Sequence, residues 1–173
     1  VGNHRVRDTH CLCASGNVVT RKYPYYQAWD GKKPSTLILK CAELCGKRWK
    51  GTKNLGTYVN RDMRGKPGQK SVHATGFALD LGYKDEAQAR EIWDFFVGNS
   101  LALNVAEVHW YTFGKYGAGY RCSRGEGKTG VKIYANAEES AGSGGMWLHI
   151  ELVDMDPTEW ETRFRALKPK DAQ

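Results

Sequence analysis

His73 and Asp80 stand seven positions apart in the stretch SVHATGFALDLGY, residues 71 to 83, with Gly76 between them. A third residue of the same chemical kind, His149, lies far downstream in MWLHIEL. Two imidazoles and a carboxylate are the ligand types of a hydrolytic zinc site, in which three protein atoms hold the ion and a fourth position stays open for water. Strand alternation in MWLHIEL puts Trp147, His149 and Glu151 on one face. ALDLGY, residues 78 to 83, reads as a buried strand carrying Asp80. Two strands of one sheet would therefore hold Asp80 and His149 side by side, while a turn at Gly76 would bring His73 back onto the same ion. Singly, each of these residues is as easily a core or surface polar group. The weight lies in their combination.

Ser71, His73, Gly76, Ala78 and Asp80 fill every specified position of the pattern SxHxxGxAxD. That stretch resembles the signature of the D-alanyl-D-alanine carboxypeptidase-like zinc metallopeptidases, and the chain looks most like their short extensin-like or phage-encoded branch. WLHIEL resembles the strand that supplies the family's last histidine. The resemblance runs from about Tyr58 to Leu152, and the first fifty residues resemble no family. It implies a small antiparallel sheet flanked by helices, of the hedgehog and D,D-peptidase type. It implies zinc on His73, Asp80 and His149, and hydrolysis of peptide bonds in peptidoglycan stem peptides or cross-bridges. An upstream arginine, here Arg61 or Arg64, would steady an oxyanion or a substrate carboxylate, since a planar guanidinium grips either better than lysine does. Ser71 and Arg64 are the expected substrate-binding residues.

The chain departs from the pattern at one place. Relatives carry a Glu three residues before the last histidine or a His two before it, and here those positions are Met146 and Trp147. Three alternatives stay open. Glu151 acts as the general base or instead orients His149; His109 or Glu139 approaches from elsewhere; or the base is absent, leaving a catalytically silent, zinc-containing cell-wall-binding module.

A chain of 173 residues is long enough for one domain with a sizeable core. The whole of 1–173 is read as one domain: an extension over 1–50, a core over 58–152 that carries the metal motifs, and a C-terminal helix over 156–167. Six Trp and nine Tyr call for a packed interior. A net charge of +7 and a pI near 9.2 favour polyanionic partners, among them anionic cell wall, nucleic acid or a membrane surface. Lys47, Arg48, Lys50 and Lys53 near Tyr58, with Tyr111, Tyr116 and Tyr120 later, allow a nucleic-acid-binding alternative. No nucleic-acid motif accompanies them, so it ranks second. No apolar run is long enough to span a bilayer. VGNHRVRDTH lacks the apolar core of a signal peptide, and the chain starts on Val1, so a processed chain or one module of a larger virion protein is expected. The resemblance places it outside the cell or on a virion.

The five cysteines, Cys11, Cys13, Cys41, Cys45 and Cys122, cannot all pair within one chain. CLC and CAELC, with His10 nearby, invite a zinc site. Leu37, Cys41, Leu44, Cys45 and Arg48 nevertheless follow helical spacing, so a buried helix face is the preferred reading.

The supporting elements follow from pattern. A helix is expected over Ser35 to Lys50, a strand around Tyr58 and Val59 between basic loops, the Asp80 strand, then a helix with Ile92, Trp93, Phe95 and Phe96 ending near Gly98. ALNVAEVHWYTF alternates as a strand, GKYGAGYRCSRGEGKTG reads as one long loop, and VKIYANA and MWLHIELV read as two further strands joined by EESAGSGG. Asp156, Pro157 and Glu159 open a helix through about Leu167. Strands joined mostly by turns, with no helix between each pair, predict α+β with an antiparallel sheet.

Overall fold

The computed structural model describes residues 18–24, 33–63, 65–139 and 144–168. Three helices, α1 (Thr36–Arg48), α2 (Glu86–Gly98) and α3 (Pro157–Ala166), pack on an antiparallel sheet of six strands. Its strands are β1 (Lys53–Gly56), β4 (Ala78–Gly82), β5 (Val105–Trp110), β6 (Ala118–Arg121), β7 (Val131–Ile133) and β8 (Trp147–Leu152), in the spatial order β1-β4-β8-β5-β6-β7. A separate hairpin pairs β2 (Asp62–Met63) with β3 (Lys66–Lys70). The α+β antiparallel expectation holds.

The sheet has two unlike faces because its central strands alternate. Leu79, Leu81, Val108, Trp110, Leu148 and Ile150 point to the helices and are buried. The intervening positions, Asp80, Glu107, His109, His149 and Glu151, point to the other face. A bulge between Val105 and Glu107 lets Val105 pair with Leu152 while Glu107 pairs with Glu151. Each helix is capped by its own sequence: Ser35 accepts from the Ile38 amide at 3.1 Å, Asp85 from Gln88 at 2.8 Å, and Asp156 from both Thr158 and Glu159. Trp49, Phe95, Phe96 and Phe164 pack edge-on or tilted against one another where the helices meet. The Arg48 guanidinium lies 4.2 Å from the Phe95 ring centre.

Two expectations need correction. Tyr58 and Val59 belong to no strand; the neighbouring β1 and the β2–β3 hairpin take the pairing instead. The stretch 114–130 is not one loop, because β6 and a 3-10 turn (Gly127–Gly130) interrupt it. Glycines hid β6 from a propensity reading, yet Gly119 has a positive reason: a Cβ there would lie 2.2 Å from the Tyr134 hydroxyl. β7 and β8 are successive in sequence but not adjacent, since β8 sits between β4 and β5. Cys41 and Cys45 are free and buried on the inner face of α1, with sulfurs 4.0 Å apart, as the helical spacing implied. Cys122 is free and buried as well, while Cys11, Cys13 and His10 lie outside the described residues. No helix among the described residues is long and apolar enough to cross a membrane.

Candidate metal centre

The signature residues work as one local device. Ser71 occupies the N-cap position of a 3-10 turn (Val72–Thr75), whose backbone closes through Ala74 N–H to Ser71 O at 2.8 Å. Gly76 ends the turn at φ 75°, a left-handed conformation that glycine adopts without steric cost, and its amide bonds back to His73 O. The chain then runs into β4 with His73 turned back over that strand. Ala78, fully buried, pairs with Glu151, and Asp80 pairs with His149. The spacing therefore places an imidazole above one strand, a carboxylate on it and a second imidazole beside it.

Asp80 joins the two histidines. Its Oδ1 lies 2.8 Å from His149 Nδ1 and its Oδ2 lies 3.2 Å from His73 Nε2. One ligand atom from each of the three residues lies within 4.8 Å of the others. Donor atoms around a tetrahedral ion at ordinary Zn–N and Zn–O lengths stand about 3.3 Å apart, and each histidine already approaches one oxygen of the Asp80 carboxylate at or under that spacing. The donor set of two imidazoles and a carboxylate fits a metal ion.

His149 is flanked on both sides, because its Nε2 lies 2.9 Å from Glu151 Oε1. Burial lowers the pKa of His149, but the hydrogen bonds to Asp80 and Glu151 outweigh it and push the value up to about 10. In the metal-free protein this ring is thus an imidazolium donating from both nitrogens. Asp80 is the converse case: burial raises its pKa, and the bonds from His149 and His73 overcome that to hold it well below the usual carboxylate range.

A second cluster shares the face. Glu107, beside Glu151 on β5, takes two 3.0 Å bonds from Arg121 and lies 2.8 Å from His109 Nε2. Burial opposes its ionisation, yet His109 and Arg121 lower its pKa to about 2. His109 pairs with His149 across the strands, and its Nδ1 lies 3.2 Å from the Tyr134 hydroxyl. Tyr23 donates to Glu151 Oε2, and its ring lies beneath the Arg121 guanidinium at 4.5 Å. Burial, followed by the fields of Asp80, Glu151 and Glu107, pushes the Tyr111 phenol up, so it remains a neutral donor.

These groups line one cavity of about 660 Å³. His73, Asp80, His149, His109, Glu107 and Glu151 form its floor, Tyr111 and Trp147 one wall, and the β2–β3 hairpin another, contributing Met63, Lys66 and Gln69. Arg61 and Ser71 stand on its rim, joined by Ser71 N–H to Arg61 O at 3.0 Å. The sequence-expected ligands and Arg61, Ser71, His109 and Glu151 therefore converge on one cavity. Arg64 lies outside the described residues. Glu139 does not line the cavity: it is exposed, 3.2 Å from Lys132, and its carboxylate caps the Ala135 amide.

Sequence reasoning missed Tyr23, Glu107 and Arg121. Alternation in VAEVHW places Glu107 with His109, and that was the available signal for Glu107. Nothing local marks Tyr23 or Arg121, which come from the amino-terminal extension and from the stretch read as one long loop. Tyr120, one of the aromatics interleaved with basic residues, is fully buried and donates to Glu126 at 2.8 Å, so it offers no base-stacking surface. No family model, curated protein or solved structure matches the chain.

Proposed function

We propose that the protein is a zinc-dependent peptidase of the D,D-carboxypeptidase or endopeptidase type, acting on peptidoglycan peptides outside the cell or on a virion. The observation that carries this is the convergence of His73, Asp80 and His149 in a cavity that Tyr111, Trp147, Arg61 and Lys66 also line. The antiparallel sheet with its ligands on two central strands and one glycine turn supports the resemblance to hedgehog and D,D-peptidase folds. The net charge of +7 suits an anionic wall.

His73, Asp80 and His149 would hold the ion, whose Lewis acidity polarises a scissile carbonyl and lowers the pKa of water toward neutrality. The remaining work falls to the protein. Glu151 keeps His149 Nε2 protonated, so Nδ1 is the ligand nitrogen. Both Glu151 oxygens are engaged, one by His149 and one by Tyr23, which favours the orienting role over the proton-accepting one. Arg61, exposed on the rim, receives a peptide carboxylate or the oxyanion, and the neutral Tyr111 phenol, which lines the same cavity, is a further donor to the substrate. Proton acceptance is assigned to His109, whose Nε2 is held by Glu107 at 2.8 Å and whose Nδ1 has only the longer 3.2 Å contact to the Tyr134 hydroxyl, a rotor that can release it to take the proton.

A second reading is favoured by one observation. Both oxygens of Glu107 and Glu151 and both nitrogens of His109 already have partners, which is the state expected of a silent zinc-containing module that binds wall peptide. Metal analysis of chelator-free protein together with a muropeptide digest decides. One zinc per chain with new amine and carboxyl termini released, both lost in His149→Ala, supports the peptidase. A full zinc complement with no termini released supports the silent module, and a zinc content unchanged in His149→Ala overturns the site itself.

A further inference from the structure

We propose that Tyr23 is a positioning residue of the metal centre, so that the segment preceding α1 is a working part of the site. The inference rests on the metal reading above and concerns what holds the ligand His149 in place.

The segment 18–24 is docked chiefly by Arg21. Its amide bonds to Cys122 O at 3.1 Å, and its guanidinium reaches Glu126, Asn104 Oδ1 at 2.7 Å and the Val105 carbonyl. These anchors belong to β5 and to the turns flanking β5 and β6, so the segment is pinned beside the polar face of the sheet. Two residues on, Tyr23 enters that face at 6% exposure.

Its place there resolves an electrostatic conflict. Glu107 and Glu151 are direct partners across β5 and β8, and like charges so paired repel. Arg121 neutralises one of the two, holding both oxygens of Glu107. Tyr23 lies between them: its ring sits under the Arg121 guanidinium, which stays on Glu107, while its hydroxyl occupies Glu151 Oε2. The other oxygen, Oε1, is then left for His149 Nε2. Removing the hydroxyl leaves a buried carboxylate oxygen without its donor, so Glu151 is no longer fixed in the orientation that presents Oε1 to His149. Carboxylates that hold a ligand histidine typically contribute ten- to a hundredfold in metal affinity, so Tyr23, one bond further out, acts through that contribution.

The test is a double-mutant cycle on the full chain, read as Zn²⁺ affinity by competition with a chromophoric chelator, with near-ultraviolet circular dichroism of each metal-free variant as the folding control. Tyr23→Phe keeps the ring over Arg121 and removes the hydroxyl alone. Affinity is expected to fall about tenfold in Tyr23→Phe, and the variant carrying both Tyr23→Phe and Glu151→Gln is expected to bind no more weakly than Glu151→Gln alone. Wild-type affinity in Tyr23→Phe, or losses that simply multiply in the double variant, would overturn the inference while leaving the metal site standing. A wild-type chain that binds no Zn²⁺ would overturn the metal reading and this inference with it.

Discussion

Metal binding should compete directly with a proton on His149. In the metal-free protein His149 is held as an imidazolium between Asp80 and Glu151, with its pKa raised from about 6.5 to about 10. A ligand nitrogen must be deprotonated, and with Nε2 committed to Glu151 the proton that leaves is the one on Nδ1. Asp80, held well below the usual carboxylate range, brings no proton of its own. Below pH 10 each unit of pH therefore lowers the apparent affinity about tenfold, or about 1.4 kcal/mol; between pH 7 and pH 9 the affinity should rise about a hundredfold. The sign for stability follows from the same shift. A pKa raised on folding stabilises the metal-free protein fully below about pH 6.5, and that contribution is lost as pH rises through about 10. Metal-free melting temperature should fall over the range in which metal affinity climbs. Calorimetric titration with Zn²⁺ in buffers of different ionisation enthalpy counts the protons released, and chelator competition gives the affinity at each pH. An affinity flat between pH 7 and 9, with no proton released at pH 7, would refute the imidazolium bridge.

Two further outcomes test separate parts of the site. Gly76→Ala forces a side chain into φ 75° and should cost about 1 kcal/mol in urea unfolding, with a parallel loss of metal affinity because His73 hangs from that turn; unchanged metal affinity would show that the turn does not place His73. His109→Gln should retain zinc while slowing muropeptide hydrolysis by roughly a hundredfold or more, and an undiminished rate would remove His109 from proton transfer.

The parts of the site legible in sequence are those set by short-range periodicity. SxHxxGxAxD encodes a turn, a left-handed glycine and a strand within ten residues, and the alternation of WLHIEL fixes which side of its strand carries His149 and Glu151. Their juxtaposition needed only that the two strands pair. Glu107 and Arg121 could not be assigned in the same way, because their meeting depends on β6, whose Ala-Gly-Tyr-Arg composition is poor in the usual strand formers. Tyr23 was further out of reach: its partner Glu151 is 128 positions away, and Arg21, which docks the segment, acts through tertiary contacts. The roles left open for Glu151 are a matter of side-chain partners, which periodicity does not specify.

The buried thiols described with the fold make this chain its own opening reporter. Cys41 and Cys45 lie on the buried inner face of α1, and the carbonyl of Cys122 accepts the Arg21 amide that docks the segment bearing Tyr23. Burial pushes the Cys45 and Cys122 thiols up, so alkylation of either must wait until its surroundings part. With Cys11 and Cys13 replaced by serine, the rate at which Cys122 is labelled clocks opening around the end of β6 on which Arg21 docks, and labelling at Cys41 and Cys45 clocks the lifting of α1. The two clocks run on one molecule, so loosening where Arg21 docks can be timed apart from the motion that uncovers the core.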